Sequence, residues 1–386
     1  MNQNEKIKQQ LIQYAKQIGI DKIGFTSAEP FEGLKEILQK HRELGYESGF
    51  EEKDLDKRVD PKLSLNNAKS IIAIAVAYPS KVINPPRNSE DNYRGFISRS
   101  AWGIDYHLIL QEKLNQLGTY LQSLMPSAEF VVMTDTGVLS DHAVAERAGI
   151  GWIGKNSLLI TPEFGSYIYL GQLVTSITFP YDKPMENLCG DCTLCMAKCP
   201  TQAIVNPGQV NAKSCLSYIT QRKDMLEEHW MDKLGNRLYG CDTCQMVCPY
   251  NKGINSSHHE EMIPNPELVK PLLKPLLTLS NKEFKEVWGS TAAAWRGKKP
   301  IQRNAIIALA HFKDISSLPL LKDILLNDER PMIRQTTAWA IGKIGTKEAK
   351  EILLEALVKE KENIIDAEIR SSLDKVDKNE FIEKNL

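Results

Sequence analysis

"CGDCTLCMAKCP", residues 189–200, sets four cysteines at the spacing C-x2-C-x2-C-x3-C-P, and this stretch decides how the middle of the chain folds. Bacterial ferredoxins hold 4Fe–4S clusters with this spacing; where two clusters are present, the fourth cysteine of each run ligates the other cluster. A second, incomplete run lies in "GCDTCQMVCPY" (240–250). There Cys241, Cys244 and Cys248 keep C-x2-C-x3-C-P, while Leu238 stands where a first cysteine is expected. All eight cysteines fall between 189 and 248, and Cys215 alone lies outside the two runs. The interleaving rule assigns Cys189, Cys192, Cys195 and Cys248 to one cluster. Cys199, Cys215, Cys241 and Cys244 then form the other, its missing ligand displaced upstream by an insertion. Paired C-x2-C elements also hold zinc, but a zinc ribbon does not need an interleaved run. Two neighbouring clusters make an electron relay, which implies a redox site elsewhere in the chain.

Around this segment the composition is that of an ordinary globular protein. Its 386 residues are 42% apolar and 25% charged, enough for two or three domains with real cores. Lys and Arg number 48 against 49 acids, so the net charge of −1 gives no global basic field, and any nucleic acid must be held by a local patch. The N-terminal "MNQNEKIKQQLIQYAKQIG" is amphipathic, unlike a secretory leader or a membrane span. The longest apolar run, "SIIAIAVAY" (70–78), is too short to cross a bilayer, so a cytoplasmic protein without a membrane partner is expected.

Residues 1–180 alternate helical and extended patterns. Helices are expected near 4–18, 105–125 and 140–149, and strands at 70–78, at 129–135 and twice within 157–176. Beyond 261 the pattern is helical and repeats at an offset of 32, pairing Ala308 with Ala340, Leu309 with Ile341 and Leu321 with Leu353. Such a period marks HEAT-like repeats, with an ordinary helical bundle as the alternative. The fold expected is therefore α+β, in three domains: an α/β domain over 1–180, a ferredoxin-like two-cluster domain over 181–260, and all-α repeats over 261–386. No G-x-G-x-x-G follows a strand to cradle a dinucleotide.

The stretches "DTGVLSDHAVAERAGIGWIGKNSLLI" (135–160), "WGIDYH" (102–107) and "GNRLYGCDTCQMVCPYN" (235–251), with the cysteine runs and the helical tail, resemble the epoxyqueuosine reductases over essentially the whole chain. The resemblance implies a cobalamin-binding N-terminal domain fed by the two 4Fe–4S clusters. It also implies reduction of epoxyqueuosine to queuosine at the wobble position of tRNAs with GUN anticodons. The expected form is a monomer served by an external flavodoxin or ferredoxin-like donor. By the same match Asp135 is the general acid. Opening an epoxide builds charge on oxygen, and burial of the carboxyl would raise its pKa enough to protonate it. Read alone, "DTG" is also an ordinary Asx-turn.

For cobalamin the expected contacts are Arg58, Ser98, Asp135, Gly151, Trp152, Ile153, Gly154, Lys155, Asn156, Ser217 and Asp242. The glycines of "AGIGWIGKN" would let backbone approach a flat ligand, although a glycine-rich turn is common. Asp105 and His107 begin the axial-histidine pattern D-x-H-x-x-G, but Leu110 breaks it, so base-off cobalamin with no protein ligand to cobalt is expected. For tRNA the expected contacts are Gln221, Arg222 and Lys223 in the insertion, and Arg296, Lys298, Lys299 and Arg303 in "WRGKKPIQRN". A solvated basic loop is the plain alternative. Two other functions fit some of these features: a corrinoid reductase of a small molecule, and a non-catalytic electron carrier.

Overall fold

In a computed structural model, residues 2–384 are described, and the chain divides into two compact units. Neither is one continuous stretch. The first comprises Met1–Lys81, Gly103–Cys215 and Asp242–Ile263; the second comprises Val82–Trp102, Leu216–Cys241 and Pro264–Leu386. This departs from three consecutive domains. The reason lies in the second unit, where strand Phe96–Ile97 pairs in parallel with Arg237–Tyr239. The Asn304 side chain then donates to Leu238 O at 2.8 Å and to Thr220 O at 2.8 Å. Segments 82–102 and 216–241 are thereby tied to the helices rather than to their sequence neighbours.

The first unit is built on a four-stranded sheet of β1 (Lys22–Ser27), β2 (Ser70–Ala77), β3 (Phe130–Thr134) and β4 (Ile168–Thr175). The order is β1–β2–β4–β3, and every neighbouring pair is antiparallel. All eight residues of β2 are buried, as its unbroken apolar run requires of a strand covered on both faces. Its alternating side chains feed two cores. Ile72, Ile74 and Val76 pack with α1 (Gln3–Gln17) and α2 (Tyr106–Leu124), while Ile71, Ala73 and Ala75 pack with α3 (Asp141–Arg147). Each buried Ile contributes roughly 1.5–3 kcal/mol relative to exposure.

Two local signals set the helix starts. Asn2 caps α1 by accepting from Glu5 N at 2.8 Å, and Asp105 caps α2 by accepting from His107 N at 3.1 Å. The second cap fixes the residues that matter most below.

In the second unit, α4 (Lys298–Phe312), α5 (Leu318–Asn327), α6 (Pro331–Ile344), α7 (Lys347–Lys359) and α8 (Asn363–Lys384) stack so that α6 packs against both α4 and α8. The repeat pairs Ala308/Ala340, Leu309/Ile341 and Leu321/Leu353 are all buried. Sharing a core between successive pairs is what makes such repeats stable. Among the described residues no helix is long and apolar enough to cross a membrane.

Candidate functional site

All eight cysteines are half-buried. Helix Leu194–Lys198, carrying Cys195, packs on Thr243–Met246, carrying Cys244. The Cys248 thiol is pushed up by burial and then by the sulfurs of Cys189 and Cys195; the Cys195 thiol is pushed up by burial and by Cys189 and Cys192. Cys248 thus lies within electrostatic range of Cys189 and Cys195, although the two runs are some fifty positions apart. Thiolates crowded in this way repel until a metal centre offsets their charge. Cys199, Cys215 and Cys244 belong to the same unit, and Cys241 ends a segment of the second.

Asp135 follows β3 in the turn closed by Gly137. Because the sheet is antiparallel, the rule that ligands gather at the carboxyl ends of parallel strands does not place it there. Its neighbours do. Asp135 Oδ2 accepts from Tyr106 Oη at 3.0 Å and lies 3.5 Å from His107 Nε2; His107 Nδ1 lies 2.7 Å from Asp105 Oδ1. The Tyr106 ring stacks on His107 and, at 4.5 Å, on Tyr169. Hydrogen bonding to Asp105 and then to Asp135 raises the His107 pKa to about 9, so the ring is an imidazolium at neutral pH.

Asp135 differs from its expectation. Its side chain is 64% exposed rather than buried, and His107, with Tyr106, holds its carboxyl below the usual carboxylate range. A raised pKa is found instead at Asp141, pushed up to about 8 by burial and by the charge of Asp135. Arg58 lies in the same electrostatic neighbourhood as Asp141, its guanidinium pKa lowered chiefly by burial. The protons in this cluster thus sit on His107 and Asp141, on either side of an ionised Asp135. Asp105, His107 and Asp141 were not among the expected site residues. All three lie within the stretches that carry the family resemblance, Asp105 and His107 in "WGIDYH" and Asp141 in the stretch 135–160.

The glycine-rich segment also reads differently in three dimensions. A Cβ on Gly151 would collide with the Ile160 carbonyl oxygen, and one on Gly154 with the Ile160 side chain. The small hairpin of Trp152–Ile153 with Leu159–Ile160 is by itself enough to require glycine there. Ile153 N donates to Glu146 Oε1, and Lys155 Nζ donates to Gly190 O at 2.6 Å. Trp152 Nε1, Asn156 Nδ2 and Asp141 Oδ1, like Glu47 Oε1 and Arg147 Nε in the same unit, are buried without hydrogen-bond partners, and buried polar atoms of this kind have capacity for a further partner. Asp242 is also buried in the first unit. Ser98 and Ser217 belong to the second: Ser98 Oγ is 3.1 Å from Ser100 Oγ, and Ser217 O accepts from Thr220 Oγ1 and Gln221 Nε2.

In the second unit Lys223, Arg296, Lys298 and Lys299 line one cleft of about 450 Å³, together with Asn281, Gly297 and Arg330. No acid lines it. Lys298 is held below its usual pKa by burial and then by the charge of Arg330. Arg330 and Asn281 were missed, yet the 32-residue offset of the repeats carries Lys298 onto Arg330. Gln221 abuts the cleft residues, its carbonyl accepting from Arg296 Nε at 3.1 Å.

Two cations expected to meet phosphates do not line the cleft. Arg222 is paired with Asp224 and, at 2.9 Å, with Glu227. Arg303 is fully buried and donates to the carbonyls of Ile219, Thr220, Arg222 and Asp224, which removes it from any surface. It lies one turn too deep: the α4 face that begins basic turns inward within five residues.

Comparison with known proteins agrees with this geometry. Residues 58–136 match the family model described as "Epoxyqueuosine reductase QueG, DUF1730", residues 188–251 a 4Fe-4S double cluster binding domain, and residues 293–374 HEAT repeats. Epoxyqueuosine reductase of Bacillus cereus is 54% identical over 370 residues, 96% of this chain and 97% of that protein. That of Bacillus subtilis is 55% identical over 369 residues, 96% of each. Among solved structures, an epoxyqueuosine reductase with an epoxyqueuosine-modified tRNA-Tyr stem loop is 54% identical, with a TM-score of 0.94 over 96% of this chain and 99% of that one. The Streptococcus thermophilus enzyme is 43% identical, with a TM-score of 0.90 over the same shares. The chain is an oxidoreductase belonging to the epoxyqueuosine reductase family.

Proposed function

We propose that this protein reduces epoxyqueuosine to queuosine at the wobble position of tRNAs with GUN anticodons. The observation that carries the reading is the near-complete structural match to a relative solved with an epoxyqueuosine-modified tRNA stem loop. Electrons from a flavodoxin or ferredoxin-like donor would enter through the two 4Fe–4S clusters, ligated as the cysteine spacing assigns.

Cobalamin fits the first unit. The unpartnered polar atoms of Trp152, Asn156 and Asp141 suit a macrocycle fringed with amides, and Arg58 interacts with Asp141. Asp242, buried in the same unit, is kept as a further contact, as is the backbone of Gly151 and Gly154 in their hairpin. When bound, the cofactor would supply a reduced cobalt centre at which the electrons meet the substrate.

The chain's own residues handle the protons. Removing an epoxide oxygen as water takes two electrons and two protons. Substrate covering the exposed Asp135 would strip water from it and raise its pKa, drawing over the proton held at His107 Nε2, 3.5 Å away. Asp135 then protonates the opening oxygen, and Asp141 stores a second proton. One crystal form of the Bacillus subtilis enzyme has its catalytic aspartate loop swung out of the active site, which accords with an exposed carboxylate in a turn here.

The test is anaerobic reconstitution with cobalamin and a low-potential reductant, followed by nucleoside digestion of tRNA bearing epoxyqueuosine. Conversion to queuosine is expected. Reduction of halogenated small molecules with tRNA left unchanged would favour the small-molecule reductase instead.

A further inference from the structure

We infer that the indole of Trp295 is a stacking platform for an unpaired nucleobase of the RNA substrate, a role that rests on the tRNA reading above. Trp102, Trp152, Trp288 and Trp339 are buried and Trp230 is half-buried, whereas Trp295 is 52% exposed. Large aromatic rings left in water at a fixed place usually mark a recognition surface.

This ring is fixed before anything binds. Its Nε1 donates to Gln221 Oε1 at 2.8 Å, and the Gln221 amide in turn donates to Ser217 O at 2.9 Å. The Arg296 guanidinium carbon stands 4.8 Å from the ring centroid while its Nε holds the Gln221 carbonyl. Behind them Arg303 and Asn304 clamp the carbonyls of the 219–224 loop. A side chain held along one edge loses little rotamer freedom when a flat ligand lands on its face, which lowers the cost of binding.

Charge selects the ligand. Arg296, next in the chain, opens the cleft that Lys223, Lys298, Lys299 and Arg330 also line, with no acid among them. Cations that track a phosphate chain, beside an aromatic ring that takes a base, are the recurrent means of holding single-stranded RNA. A duplex would leave the ring unused because its bases are already stacked. The ligand class is therefore an RNA loop with at least one base turned outward.

The two kinds of contact separate experimentally, because stacking does not release counterions and phosphate contacts do. The test is a salt titration of binding to a synthetic anticodon stem-loop RNA, using the full-length protein with its clusters in place. Trp295→Ala should weaken binding roughly 5- to 100-fold at every salt concentration, leaving the slope of log affinity against log salt unchanged. Trp295→Phe should recover most of that loss, although it has no N–H for Gln221. Quenching of tryptophan fluorescence on RNA addition should shrink in Trp295→Phe, a readout that survives if the alanine variant folds poorly. Wild-type affinity in Trp295→Ala would overturn the inference. So would failure of phenylalanine to rescue, which would assign the residue to its hydrogen bond with Gln221. If wild type does not bind the stem loop at all, the tRNA reading falls and this inference with it. If wild type binds and the alanine variant binds equally well, only the inference falls.

Discussion

The two units handle charge in opposite ways. Around Asp135 the ionisable groups answer one another: His107 lies between Asp105 and Asp135, and the Asp141 pKa is pushed up by burial and then by the charge of Asp135. Along the cleft of the second unit Lys223, Arg296, Lys298, Lys299 and Arg330 stand together with no carboxylate in the lining. The first arrangement stores protons at defined atoms. The second gathers like charges that are only partly offset, Arg330 being paired with Asp328 at 2.7 Å, and a polyanion would balance the rest. A cluster whose charges answer one another suits chemistry, and a row of like charges suits binding.

The largest effects should come from the metal centres. Cys215→Ala should lower the iron content of anaerobically purified protein from about eight to about four per chain, since one four-cysteine set would lose a ligand. Unchanged iron and an unchanged spectrum would remove Cys215 from the ligand set.

Next comes the proton-storing cluster. Asp135→Asn keeps the shape of the side chain but not the transferable proton, so turnover should fall about 10²–10⁴-fold with cobalamin binding retained. Near-normal conversion would exclude Asp135 as the acid. The same cluster sets a pH dependence. The folded pKa of His107 is raised from 6.5 to about 9, so the stabilisation it contributes is complete below the lower value and is lost as pH rises through the upper one. Thermal unfolding scans of wild type and His107→Gln should diverge below pH 9 and converge above it.

Within the second unit, Arg303→Gln should destabilise the fold by about 3 kcal/mol, because two buried and two part-buried carbonyls lose a charged donor. A variant as stable as wild type would mean the 219–224 loop is held by other bonds. The mildest effect belongs to the cleft. Replacing Arg296, Lys298 and Lys299 together by Ala should flatten the salt slope of tRNA affinity by about two to three units. Parallel slopes would make the cleft a solvated surface and would erase the contrast between the units.

Much of this was legible along the chain because it is written at short range. Cysteine spacing fixes how many sulfurs can converge, and the 32-residue period fixes a stacked helical module, whatever surrounds them. Asp135 and the basic stretch 295–304 were visible for the same reason: each sits within a contiguous motif.

Other features depend on neighbours that no local pattern reveals. Arg303 belongs to the basic stretch by position, yet burial makes it a structural clamp, while Arg330 joins the cleft from the next repeat. Gly151 and Gly154 have a second reason to be glycine, the close approach of Ile160, that no local pattern shows. The strands of the first unit could be counted, but their antiparallel order could not, because strand pairing is a contact between distant segments. Asp135 was expected to carry a raised pKa, and the fold gave that to Asp141 instead. Spacing and periodicity are properties of adjacent residues, whereas burial and pKa are sums over everything that packs nearby. The first kind can be read from the chain; the second exists only once the chain has folded.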